Sequence, residues 1–196
     1  MTKLPVPAKE TAGMTFWIVL GLVVLIGVWL IAVYNGLVGG RNQAQAAWSQ
    51  IDVQLKRRHD LIPNLVQVVK DAMGYEQETL TKVIQARNAA VAASGPGQAG
   101  PAEANLTLAT RGLLGLVESY PQLKANDNIK QLQEELTGTE NKIAFARQFY
   151  NDSVAAYNTR RESFPAVLAA ASLGFGPMEL FNMPEAEKEV PKVALR

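Results

Sequence analysis

The chain has 196 residues, 48% of them hydrophobic and 19% charged, with 19 Lys and Arg against 18 Asp and Glu. That balance leaves no basic surplus to follow a phosphate backbone, so nucleic acid is not an expected partner. With no cysteine and one histidine, His59, the sequence excludes disulfide scaffolds, Cys or Cys/His zinc centres, cysteine nucleophiles and any Ser-His machinery away from His59.

Residues 1–13 form a short flank. From Thr11 to Gly40 there is no Asp, Glu, Lys or Arg. Within this run Met14 to Tyr34 is long enough, at about 1.5 Å per residue, to span the roughly 30 Å of bilayer hydrocarbon as a helix. Phe16 and Trp17 stand at one interface and Tyr34 at the other, and Trp29 completes the aromatic anchor set. The apolar core of a cleaved signal peptide is shorter, about 7 to 15 residues. The flanks carry Lys3, Lys9 and Glu10 on one side and Arg41 on the other, which does not fix the side on which the rest of the chain lies.

Gly36, Gly39 and Gly40 predict a flexible joint over residues 35–40. Beyond it the apolar positions Ala44, Trp48, Ile51, Leu55, Ile62, Leu65 and Val69 step by three and four, with Arg58 in one slot. This is a heptad seam, which calls for a partner helix along its length. Pro63 lies inside the seam, and because the phase continues through it, a kink within one long helix is expected rather than a turn. The helix is expected to continue through Leu80, Val83 and Ile84 to about Ala93. Ser94 to Pro101, with three Gly and two Pro, predicts a loop.

A shorter helix follows, with Leu106, Ala109, Leu113, Leu116 or Val117, and Tyr120 on one face and Pro121 at its end. Asn126, Asp127 and Asn128 supply capping oxygens for a second seam: Ile129, Leu132, Leu136, Thr139, Ile143, Ala146, Tyr150, Ser153 and Tyr157. Ala166 to Leu173 predicts a short apolar helix stopped by Gly174. Residues 177–196, charged and interrupted by Pro184 and Pro191, read as a mobile tail. No strand pattern competes. The expected fold is therefore all-α: a transmembrane helix over 14–34, then an elongated antiparallel bundle over 41–176 of two long and one or two shorter helices, close to a four-helix bundle with coiled-coil seams.

Chemistry is sparse. A di-iron bundle needs Glu-x-x-His pairs, and the residue three before His59 is Lys56. Glu76, Glu78, Glu118, Glu134, Glu135 and Glu140 fit solvated helix faces better than acid-base pairs, and His59 fits an exposed or ion-paired residue. Arg58, at a seam position, either pairs with a carboxylate such as Glu140 or Glu118 or reaches past the seam edge. Arg147 raises the same question. Asn35, Asn64, Asn141, Asn151 and Asn158 fit capping or interhelical hydrogen bonding.

Ordered blocks of the sequence resemble the LemA family: Trp48 to Arg58, Leu61-Ile62-Pro63-Asn64-Leu65, Tyr120 to Ala125, Glu140 to Arg147, Tyr150-Asn151 and Phe164-Pro165. The resemblance implies a bacterial membrane protein with an amino-terminal anchor and an antiparallel helical bundle, in a family that includes a magnetosome protein tied to membrane formation. It implies no catalytic residue, no metal and no cofactor. Trp48, Arg57, Arg58, Pro63, Asn64, Glu140, Arg147, Tyr150 and Asn151 are the candidate structural or interaction residues. The expected function is a non-enzymatic, single-pass scaffold of the bacterial inner membrane that self-associates on the lipid bilayer. The alternative is an adaptor that offers a groove to another envelope protein such as a protease or signalling component.

Overall fold

The computed structural model describes residues 8–73 and 77–183. The sequence flank before Ala8, Glu76 and the tail from Pro184 onward lie outside the described residues. Six helices follow in order: α1 (Ala8–Met73), α2 (Gln77–Ala92), α3 (Gly95–Ser119), α4 (Pro121–Lys124), α5 (Asp127–Glu162) and α6 (Val167–Ala170). Among the described residues there is no strand.

The first seam and the second become the two faces of one interface. Ala44, Ile51, Leu55, Arg58, Ile62, Leu65 and Val69 of α1 are buried, and so are Ile129, Leu136, Thr139, Ile143, Tyr150, Ser153 and Tyr157 of α5. Burying apolar side chains at three-four spacing on both helices stabilises the pair by roughly 1.5–3 kcal/mol per large residue. α1 passes through Pro63 without interruption. Pro63 and Asn64 are exposed, so the bond lost to the proline ring is on the wet side of the helix, where water replaces the missing donor.

Four expectations need correction. First, the first long helix does not run on to Ala93. Arg87 donates from Nε to the carbonyl of His59 at 3.1 Å; in a continuous helix those residues would lie about 42 Å apart at 1.5 Å per residue. The chain therefore doubles back after Met73, and α2 lies against α1. Periodicity alone does not register such a reversal, because a returning helix presents the same apolar stripe.

Second, residues 35–40 are not a break. They lie within α1, where small residues let α5 approach: a methyl on Gly40 would touch the Tyr157 ring at 3.4 Å, and Arg160 Nη1 donates to the Gly36 carbonyl at 2.8 Å. Third, the Gly/Pro segment 94–101 is helical from Gly95 onward. Gly95 takes φ +73° to make the turn, Pro96 occupies the first turn, where its missing donor costs nothing, and Ala99 and Gly100 are buried. Fourth, residues 177–183 are not a loose tail. They belong to an extended strap, residues 175–183, in which Phe175 and Phe181 are buried.

The core falls into three clusters along the bundle. The far one gathers Ile62, Leu65, Val69, Val83, Leu106 and Leu113. The middle one gathers Ala44, Ile51, Ile143, Tyr150, Val154 and Phe181. The near one holds Leu37, Tyr157, Ala170 and Phe175 against Val33 and Val38. The near cluster thus begins where the apolar span of α1 ends. That span is largely exposed, Phe16 and Trp17 at 61% and 69%, and the helix carrying it is long and apolar enough to cross a membrane.

Candidate functional site

Three features on the bundle combine polar groups, and each grows from a sequence pattern. At the centre, Arg58 is 1% exposed. The seam forces its guanidinium inward, where a charge must be paired. Nη1 lies 3.3 Å from Glu103 Oε2, and Nη2 donates to Glu140 Oε1 at 2.8 Å and to Thr107 Oγ1 at 2.9 Å. Glu103, also buried, takes His59 Nε2 on its other oxygen. His59 is therefore a buried partner of Glu103. Of the two carboxylates considered from sequence, Glu140 is a partner of Arg58 and Glu118 is exposed. Arg57 points the other way and pairs with Glu135 at 3.2 Å near the surface. Glu103 and Thr107 escaped notice because they fall in the segment next to the Gly/Pro run; their i, i+4 spacing is the signal that one helix turn offers both groups to Arg58.

The second feature is the clamp on the strap. Tyr150 Oη donates to the Glu179 carbonyl at 2.7 Å, and Tyr157 Oη to the Gly176 carbonyl at 2.8 Å. Asn158 accepts from Met178 N–H at 3.0 Å and donates to the Met178 carbonyl at 2.9 Å. Asn151 likewise accepts from Phe181 N–H at 2.9 Å and donates to the Phe181 carbonyl at 3.3 Å. Arg161 Nε adds a bond to the Phe175 carbonyl at 3.0 Å. The register has a simple origin. Seven helical residues rise about 10.5 Å, and three extended residues advance about 10 Å. A Tyr-Asn pair repeated every seventh position on α5 therefore meets every third residue of a strap running antiparallel to it. Trp48 closes the sandwich, its ring 5.4 Å from those of Tyr150 and Phe181. Burial raises the Tyr150 phenol above its usual range, and the nearby Glu179 charge adds to the shift. The repeated Tyr-Asn dipeptide at 150–151 and 157–158 was the sequence signal for this clamp.

The third feature is a shallow groove of about 690 Å³ between α1 and α5, lined by Val53, Gln54, Lys142, Phe145 and Phe149. Val53 and Phe145 are exposed at 63% and 75%, and Gln54 Oε1 is buried without a hydrogen-bond partner among the described residues.

The foot of the bundle carries the anchor residues. Tyr34 packs edge-on against Phe175 at 5.5 Å, Arg41 sits over the same ring at 5.2 Å, and Phe16 meets Trp17 edge-on. Trp29 is half-buried within the span. Arg147 lines a cavity beside the central cluster. Among the described residues no three His, Asp or Glu side chains gather as a metal site would require.

A family profile, that of the LemA family, matches residues 47–195, which includes the first seam from Trp48 onward, the second seam, the central cluster and the clamp. The chain belongs to the LemA family. Among named relatives, the magnetosome protein MamQ of Magnetospirillum gryphiswaldense is 28% identical over 190 aligned residues, covering 84% of this chain and 70% of MamQ. Magnetosome protein MamQ 2 of Paramagnetospirillum magneticum is 26% identical with the same coverage. Protein LemA of Metamycoplasma hominis is 26% identical over 191 residues, 95% of this chain and 85% of that protein. None of these names states an enzymatic activity. As a LemA-family chain with an exposed apolar span, this is a membrane-associated protein.

Proposed function

We propose that this LemA-family protein is a non-enzymatic scaffold, anchored by one pass through the bacterial inner membrane, that associates with itself and organises the bilayer. The observation that carries this reading is an apolar elbow beside the span. After α5 ends at the level of Gly36, residues 164–173 turn back along α1 next to Val33. There Phe164, Val167 and Leu168 are exposed at 80%, 47% and 69%. Because Val33 and Tyr34 close the transmembrane run, the elbow meets the lipid interface. Each large side chain it places among acyl chains stabilises the docked state by up to about 1.5–3 kcal/mol. One span plus a lateral wedge occupies one leaflet more than the other, which favours curvature. MamQ, a named magnetosome protein, is a relative in keeping with this reading.

Self-association follows from height. Copies held upright by the same span present the Val53–Phe145–Phe149 groove at one distance from the membrane, so two copies meet in register. The test is electron microscopy of the full chain reconstituted in liposomes, with light scattering in detergent. Clustered protein on deformed vesicles is expected, and Phe164→Glu with Leu168→Glu should leave the protein anchored on undeformed vesicles. A detergent monomer scattered singly on smooth vesicles would overturn the scaffold and leave the adaptor.

A further inference from the structure

We propose that the LemA bundle carries a binding site for a small phosphate-class oxyanion between α1, α3 and α5, built from Arg58, Arg111 and Arg147. The three arginines line one cavity of about 240 Å³, together with Thr107, Glu140 and Asn141. Their charges are not matched. Glu140 and the buried Glu103 both serve Arg58, whereas Arg111 and Arg147 make no ion pair or hydrogen bond among the described residues. Counting Glu103 behind the wall, three cations face two carboxylates.

The Arg58 side chain is 2% exposed, and its Nη atoms are already held by Glu103, Glu140 and Thr107, so it forms a fixed cationic wall. Arg111 and Arg147 are the uncommitted donors, and an oxyanion in the cavity would answer charges that no carboxylate meets. Arginine's planar fork suits phosphate oxygens, and Asn141 adds a neutral donor.

Geometry selects the source of the anion. Arg58 lies 24 residues beyond Tyr34, about 36 Å along the helix, whereas headgroups extend only several ångströms beyond the hydrocarbon. Lipid phosphate of the anchoring membrane does not reach that height, and a dissolved anion does. The chain's own carboxylates are the remaining competitor, since Met183 lines the cavity and the sequence continues with Glu185, Glu187 and Glu189.

The test is calorimetric titration of the full chain, in nanodiscs of neutral lipid, with inorganic phosphate against chloride at constant ionic strength. Saturable binding is expected, weakened at least about tenfold by Arg111→Gln with Arg147→Gln. Neither residue holds the fold together through a partner, so the double variant should keep its helicity. A control with the same charge change, Lys70→Gln with Lys124→Gln, should bind as the parent does. No saturation at millimolar phosphate, or an equal loss in the control, overturns the site. Dihexanoyl phosphatidic acid binding about tenfold tighter than phosphate overturns the dissolved source in favour of a headgroup. Phosphate binding that appears only when the chain is ended after Met183 overturns the proposal in favour of the tail.

Discussion

Replacing Asn158 with alanine removes both bonds that α5 makes to Met178. In a half-buried setting each lost bond costs about 1 kcal/mol, so the strap should open with an equilibrium constant larger by about 2 kcal/mol, or roughly 30-fold. The matching change at Asn151 frees Phe181 in the same way. Amide hydrogen exchange on the full chain reads this directly. If the strap opens as a unit, Asn158→Ala should speed exchange at Phe181 as well as at Met178, even though the Phe181 amide keeps its own acceptor. The double variant should exceed either single one, up to the limit set by withdrawing Phe175 and Phe181 from the core. Faster exchange at Met178 alone would refute a unitary strap. A change below about threefold at both sites would mean that the amide-to-backbone pairs contribute almost nothing, against the magnitude expected of them.

The central cluster gives a second test. Glu103→Leu strands the buried Arg58 with only Glu140 and Thr107 and should cost about 3 kcal/mol. Chemical denaturation followed by circular dichroism measures this, and adding Arg58→Met should recover most of the loss; no recovery would mean that shape rather than charge governs the site. The third test is alkaline. Because the folded Tyr150 phenol titrates above its ordinary value of 10.0, its hydrogen bond contributes fully below about pH 10 and is lost as pH rises through the folded value. Strap protection from proteolysis should fall in that window, and Tyr150→Phe should flatten the fall while lowering protection by about 1 kcal/mol at neutral pH.

How much of this was legible depended on which forces shape each part. Where apolar burial dominates, as at Ile51, Leu65, Leu136 and Ile143, period alone places the residue on the buried face. Arg58 was legible as an anomaly for the same reason, a charge in an apolar phase. Its partner Glu103 was not, because a carboxylate carries no periodic signature and the neighbouring Gly/Pro run suggested a loop. That run is helical because Gly95 and Pro96 sit where a helix begins, and because Gly100 lies under the Asn182 carbonyl, where a methyl group would overlap it. The reversal after Met73 stayed hidden because amphipathic phase carries no direction. The strap stayed hidden because two phenylalanines six residues apart are too few to read as a core element. Its order comes from side chains on α5 bonding to its backbone, and backbone bonds leave their trace in the donor's sequence rather than the acceptor's.

In the proposed single-pass arrangement, the unbroken course of α1 from the bilayer into the bundle makes the span a tiller. From Tyr34 to Met73 the helix extends about 58 Å, and α5 braces it from Gly36 onward, so there is no hinge to absorb rotation. Spans lean by about 20° on average, and more when the hydrocarbon layer is thin. A lean of that size swings the far end sideways by about 20 Å. Bilayer thickness is thereby converted into the lateral position of the bundle tip.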